Sequence, residues 1–283
     1  MKIGFLGTGL MGQPMVLKLL DAKISVIAYN RTESKLIPLQ TAGAKITNSP
    51  TEAIEYADCL ILMLTNAGAI KEVLLSNKTS LNGKTIIQMG TISPEESREI
   101  NHQIIAQGGE YLEAPVLGSI PEVKSGELLV MVGGTQAQFD KWSGLLKNFS
   151  PEPMLIGNVG TAAAVKLALN QLIAGLTSTF ALSLGFVENQ GVEIEKFMHI
   201  LRDSALYAPT FDKKLKRMSD RHYANPNFPT KHLLKDLNLF ITQAEKIGLD
   251  TSSLVGVGKV VEKAIELGYT DDDYSAIYSA INH

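Results

Sequence analysis

Cysteine is nearly absent from this chain. Its 283 residues hold one, Cys59, inside the apolar run DCLILML. No intrachain disulfide can form, which fits a reducing compartment, and a buried structural thiol is the expected state of Cys59. The five histidines show no metal-ligand spacing and have no cysteine cluster beside them, so no metal site is expected. An excess of one charge is also lacking. Lys and Arg number 26 against 29 Asp and Glu, a net charge of −3, which gives no global attraction to nucleic acid or to anionic membranes. No run of about 18 uncharged apolar residues occurs, so no membrane span is expected. The longest weakly charged stretch, LALNQLIAGLTSTFALSLGFVENQG, carries Asn, Gln, Thr and Ser throughout and reads as a buried helix. The opening MKIGFLGTG is a short apolar run interrupted by glycine, unlike a signal peptide. A cytoplasmic protein with no nucleic-acid or membrane partner is expected.

What is present is ordinary globular composition, with 45% hydrophobic and 19% charged residues and a length suited to two domains. Up to about residue 150, apolar runs of strand length alternate with helix-like segments. KIGFLG, ISVIAYN, AKIT, DCLILMLT, KTIIQMGT, EYLEAPVLG and ELLVMVGG read as strands. Ser49 before Pro50 and the segment SPEESREINHQIIAQGG carry helix-start signals. Such alternation predicts βαβ units and a largely parallel sheet covered on both faces. Beyond about residue 160 only helical periodicity remains, over 161–190, 193–204, 209–221, 231–248, 251–267 and 274–281. The expectation is α/β: an N-terminal Rossmann-type doubly wound parallel sheet over 1–160, then an all-α domain over 161–283, joined by a long helix.

Gly7, Gly9 and Gly12 form G-T-G-L-M-G directly after the first strand and before the first helix. In that setting the first glycine makes a tight turn, the second lets a pyrophosphate approach the backbone, and the third lets helix pack on strand. The helix N-terminus supplies N–H groups and positive potential for phosphates. Gly7, Thr8, Gly9, Leu10, Met11 and Gly12 are therefore expected at a dinucleotide, with Leu64 and Thr65 at the end of DCLILMLT. The second strand ends in Asn30, Arg31 and Thr32, where a carboxylate would bind the ribose 2′-hydroxyl of NAD. Asn tolerates a 2′-phosphate, and Arg and Thr bind one, so NADP(H) is the expected cofactor.

Farther along, GNVGTAAAVKLALNQL places Lys166 and Asn170 four residues apart, on one face of a helix. Lys166 is flanked by Ala, Val and Leu. By spacing alone it is either a proton donor or a lysine whose stem lies along apolar surface.

Four blocks together resemble the β-hydroxyacid dehydrogenase family, which includes 3-hydroxyisobutyrate dehydrogenase, tartronate semialdehyde reductase and glyoxylate/succinic semialdehyde reductase. They are GFLGTGLMGQPM, EAPVLGSIPEVKSGELLVMVGG, GNVGTAAAVKLALNQL and FPTKHLLKDLNLF. The last, with GYTDDDYSAIYSAI, is most similar to the glyoxylate and succinic semialdehyde reductase branch. The resemblance implies that Lys166 is the catalytic lysine and Asn170 its partner. It implies that Thr91 lies near nicotinamide and substrate, that Lys235 closes over the cofactor, and that Phe228 and Asp236 line the same cleft. Phe228 as core packing and Asp236 as an ion-pair partner of Lys235 are the plainer alternatives. One departure concerns substrate: the family's APVSGG or APVSGS reads here with Leu117 in place of the serine, before Gly118 and Ser119. Loss of that hydroxyl removes one hydrogen bond to a substrate carboxylate, about 1 kcal/mol. Backbone N–H groups near Gly118 and Ser119, or Ser119 itself, then serve instead.

The implied activity is NADPH-dependent reduction of a small aldehyde acid, such as glyoxylate or succinic semialdehyde, to a hydroxyacid. Lys166 is the general acid. An imine reductase of the same architecture, or a dinucleotide-binding module without turnover, are the alternatives. The apolar helical domain suggests a homo-oligomer, a dimer or tetramer.

Overall fold

A computed structural model describes residues 1–76 and 79–282. The chain divides into two compact units, Met1–Lys166 and Leu167–His283, so the division falls six residues beyond the expected 160.

In the first unit the strands are β1 (Lys2–Leu6), β2 (Ser25–Tyr29), β3 (Lys45–Thr47), β4 (Cys59–Leu62), β5 (Thr85–Gln88), β6 (Glu110–Glu113), β7 (Val116–Leu117), β8 (Leu129–Gly133) and β9 (Met154–Gly157). Between them lie α1 (Gly12–Asp21), α2 (Ile37–Thr41), α3 (Pro50–Tyr56), α4 (Ala67–Ile70), α5 (Pro94–Ala106), α6 (Ile120–Ser125) and α7 (Gln136–Leu146). The strand order runs β3-β2-β1-β4-β5-β6, and every neighbouring pair in that series is parallel. This is the doubly wound dinucleotide-binding order, with its switch point beside β1. β8 then adds antiparallel to β6, and β9 parallel to β8.

The apolar strands are explained by burial on both faces. Along β4, Cys59 and Ile61 enter one core cluster, while Leu60 and Leu62 enter the other. Alternate residues point to opposite faces, so a sheet covered by helices on both sides needs an apolar residue at every position. Helix starts follow the sequence signals: the Ser49 hydroxyl accepts from the Glu52 N–H, and Ser93 and Glu96 form a reciprocal capping box.

Two strand expectations differ from the structure. EYLEAPVLG is two strands, because the chain breaks at Ala114–Pro115 and β7 then runs antiparallel to β8, pairing Leu117 with Leu129. β9 was not expected. It is half-exposed, so its sequence carries no long apolar run. The segment AGAIKEVLLS opens as α4 and continues as a π-turn over Lys71–Leu75.

Helix α8 (Thr161–Asn189) begins in the first unit and continues into the second. The second unit adds α9 (Ile194–Arg202), α10 (Pro209–Ser219), α11 (Thr230–Lys246), α12 (Ser252–Glu266), a 3-10 turn at Tyr274–Ala276 and α13 (Ile277–Ile281). Its core includes Phe180, Leu184, Met198, Leu233, Val261 and Ile277. Among the described residues, α8 is the one helix long and apolar enough to cross a membrane by length and composition, and 44% of its most apolar window is buried.

Candidate active site

In the glycine loop at the carboxyl end of β1, each of the three glycines meets a different local constraint. Gly7 has φ +103°, and a β-carbon there would sit 2.3 Å from the Met63 carbonyl oxygen. Only glycine fits that turn. A β-carbon on Gly12 would lie 1.9 Å from the Gly7 carbonyl oxygen, so helix and strand touch at backbone distance. Gly9 differs: nothing lies within 4 Å of its missing β-carbon. Its smallness is not required by the protein's own packing, and the open space there would admit a phosphate to the backbone. Unlike α3 and α5, α1 has no side-chain cap hydrogen bond at its N-terminus; the Gln13 N–H bonds the Gly9 carbonyl at 3.0 Å, and Pro14 has no N–H to give. These residues fit a dinucleotide.

Asn30 ties the end of β2 to this loop. Its Nδ2 donates to the buried Thr8 hydroxyl at 2.9 Å, and its Oδ1 accepts from the Thr32 N–H at 2.9 Å. Both ends of the amide are thereby occupied in shaping the loop. Arg31 and Thr32 are exposed. The exposed Leu10 and half-buried Met11 flank Gly9 and Gly12, and Leu64 and Thr65 follow β4. A β-carbon on Gly90 would stand 2.5 Å from the Leu64 carbonyl oxygen, so the turns after β4 and β5 press together just before the half-buried Thr91.

Lys166 is held by a device that the sequence reading did not identify. Glu113, the last residue of β6, is 1% exposed. Its Oε1 accepts the N–H groups of Gly160, Ala162 and Ala163 at 2.8, 2.9 and 3.1 Å. Those are first-turn donors of α8, which otherwise lack partners, and a carboxylate there complements the positive helix end. Its Oε2 accepts from the Ser97 hydroxyl, whose oxygen accepts in turn from the Tyr111 hydroxyl at 2.8 Å. Lys166 follows one turn later, 9% exposed. Gly160 has φ +100°, a backbone conformation that favours glycine, and the Arg98 guanidinium lies against it.

Asn170 lies one further turn along α8, 2% exposed. Its Nδ2 donates to Asp236 Oδ2 at 2.7 Å. Its Oδ1 is buried and has no hydrogen-bond partner among the described residues. Asp236, on α11, also pairs with Lys235 at 2.8 Å. Phe228 is half-buried and packs edge-on against Tyr274, with ring centroids 5.8 Å apart.

The segment after β6 is less open to an anion than expected. Leu117 is half-buried. Gly118 has φ +129°, with Leu128 filling the space a side chain would need. The Ser119 N–H and hydroxyl both donate to Glu122 Oε2, at 2.8 and 2.7 Å. Glu122 was not singled out from the sequence, although Ser-x-x-Glu is the pattern of a capping box.

Comparison with known proteins identifies the family. Residues 2–160 match the NAD-binding domain of 6-phosphogluconate dehydrogenase, and residues 160–281 match the NAD-binding model of NADP-dependent 3-hydroxyisobutyrate dehydrogenase. Glyoxylate/succinic semialdehyde reductase 1 of Arabidopsis thaliana is 30% identical over 99% of this chain and 98% of its own length. The chloroplastic reductase 2 of that plant is also 30% identical, over 99% of this chain and 79% of its length. Among solved structures, 3-hydroxyisobutyrate dehydrogenase of Mycobacterium tuberculosis, described with L-serine, superposes with a TM-score of 0.89 at 21% identity, covering 100% of this chain and 99% of that one. The chain thus belongs to the 3-hydroxyisobutyrate dehydrogenase-like β-hydroxyacid dehydrogenases and is an NAD(P)-dependent oxidoreductase.

Proposed function

We propose that the protein reduces small aldehyde acids to hydroxyacids with NADPH, with Lys166 as the general acid. The observation that carries this reading is a buried lysine on a helix whose first turn is fixed by Glu113. Gly7–Gly12, Asn30, Arg31, Thr32, Leu64, Thr65, Thr91 and Lys235 would hold the dinucleotide, which supplies the hydride to the carbonyl carbon. Lys166 donates a hydrogen bond to the carbonyl oxygen, stabilises charge developing there, and gives up its proton to form the hydroxyl. The neutral amine is then reprotonated from solvent. Asn170, steadied by Asp236, offers Oδ1 as an acceptor to a substrate hydroxyl or to an ammonium group. The proposal includes a cytoplasmic setting, consistent with buried Cys59, whose thiol burial pushes far up.

The same proposal includes a homo-oligomer. Leu172, Leu176, Leu182 and Phe186 are 40–65% exposed on α8, which has no charged residue between Lys166 and Glu188. A second copy can cover that stripe without opposing like charges. Light scattering would report the dimer or tetramer.

Replacing Lys166 by Ala is expected to lower turnover at least about a hundredfold, the low end for a general acid, with NADPH affinity nearly intact. Steady-state kinetics beside a fluorescence titration of NADPH checks both, and near-normal turnover rejects the assignment. The Arg31→Ala variant is expected to weaken NADPH by about tenfold or more while NADH changes little, the signature of a charge-assisted bond to the 2′-phosphate. Equal loss for both cofactors removes Arg31 from that role.

A further inference from the structure

The segment Leu117–Glu122 runs from the end of β7 into α6, a few residues beyond Glu113 at the carboxyl end of β6. The Gly7–Gly12 loop leaves β1 at the same end of the parallel sheet, the end at which doubly wound sheets bind ligands. Its chemistry is unsuited to an anion. Leu117 is apolar, Gly118 has no space for a side chain, and the Ser119 N–H and hydroxyl are both engaged by Glu122. Pro121 has no N–H to give. Glu122 also brings a carboxylate, half-buried, to this segment. A second carboxylate held here would meet Glu122, and the Ser119 hydroxyl that could have received it is already donated to that side chain.

Resting on the reductase reading above, we propose that this loop makes the enzyme select aldehydes whose reacting carbonyl is bonded to methylene carbons rather than to a carboxylate. Leu117 receives the methylene chain, and Glu122 disfavours an acid group on the reacting carbon. A four-carbon semialdehyde can carry its carboxylate away from the loop. In glyoxylate the two groups share a bond, so the carboxylate must sit wherever the carbonyl does. Leu117 and Glu122 are then specificity determinants, and neither takes part in proton or hydride transfer.

The test uses the full-length protein with NADPH and three probes: glyoxylate, succinic semialdehyde and uncharged butanal. Wild type, Leu117→Ser and Glu122→Gln are compared by kcat/KM. Glutamine keeps an oxygen facing Ser119, so the cap of α6 survives in that variant. Wild type is expected to prefer succinic semialdehyde over glyoxylate by at least about tenfold. Each substitution is expected to narrow that ratio about fivefold, roughly one hydrogen bond's worth, chiefly through the KM for glyoxylate. A wild-type enzyme equally good on glyoxylate overturns the inference, as does a ratio unmoved in both variants. In either case the reductase reading still stands, because aldehydes are turned over. Absence of turnover on all three probes, with NADPH bound, overturns the reductase reading and the inference together.

Discussion

Each unit buries a carboxylate at a structural junction, and the two are satisfied in opposite ways. In the first unit Glu113 receives neutral donors: three helix N–H groups and the Ser97 hydroxyl. In the second, Asp273 faces a cation, with Lys214 Nζ 2.8 and 2.9 Å from its two oxygens and lying over the Tyr274 ring. Asp273 also accepts from the Ser275 N–H and hydroxyl and from the Asn227 N–H. Burial pushes both carboxyls up. For Glu113 it prevails over Ser97 and the three amides, and the group titrates above its usual range. For Asp273 the Lys214 charge and the hydrogen bonds overcome burial, and the group is held below its usual range. A buried acid without a cation works here as a helix cap, whose shape matters more than its charge. A buried acid with a cation works as an ion pair, whose charge matters most.

This contrast is open to direct test by urea unfolding. The largest effect is expected from Lys214→Met, which strands the Asp273 charge and should cost about 3–5 kcal/mol. Next comes Glu113→Ala, which orphans three buried N–H groups and should cost about 3 kcal/mol. Glu113→Gln retains an accepting oxygen and should cost only about 1 kcal/mol. If it destabilises as much as alanine, charge rather than shape holds α8, and the contrast fails.

The smallest and sharpest effect is on pH. The folded value of Asp273 lies below its unfolded value of about 3.9, so its contribution is complete above that pH and is lost as pH falls through the folded value. Glu113 has the opposite sign. Its folded value lies above about 4.3, so the folded state keeps its proton longer, and stability declines as pH rises from there through the folded value. Measured from pH 3 to 7, the margin of wild type over Asp273→Asn should grow with pH, while its margin over Glu113→Gln should shrink. Margins that move together would show that both acids are governed by the same effect.

The same contrast marks how far the sequence could be read. Gly7 and Gly12 were legible because their constraint is local: a strand end, a tight turn and a helix start lie within a few residues. The parallel strands were legible because burial on both faces makes every position apolar. β9 was not, since a half-exposed strand carries no such run, and the break at Ala114–Pro115 was hidden inside an apolar segment. Lys166 and Asn170 were legible as a helical pair. The Ser119–Glu122 box was also written locally, as a Ser-x-x-Glu pattern at the start of α6.

By itself, then, the sequence determined the glycine turn after the first strand, the alternation of strands and helices, the change to helices alone, and the lysine–asparagine pair on one helix. All of these follow from residues within a turn or two of one another. Only the tertiary structure decided that Glu113 would meet N–H groups 47 to 50 residues away, that Asn170 would meet Asp236 66 residues on, and that Lys214 would find Asp273 59 residues on. Such partners satisfy buried polar groups across long chain separations, and no local propensity or period records where the fold will bring them together.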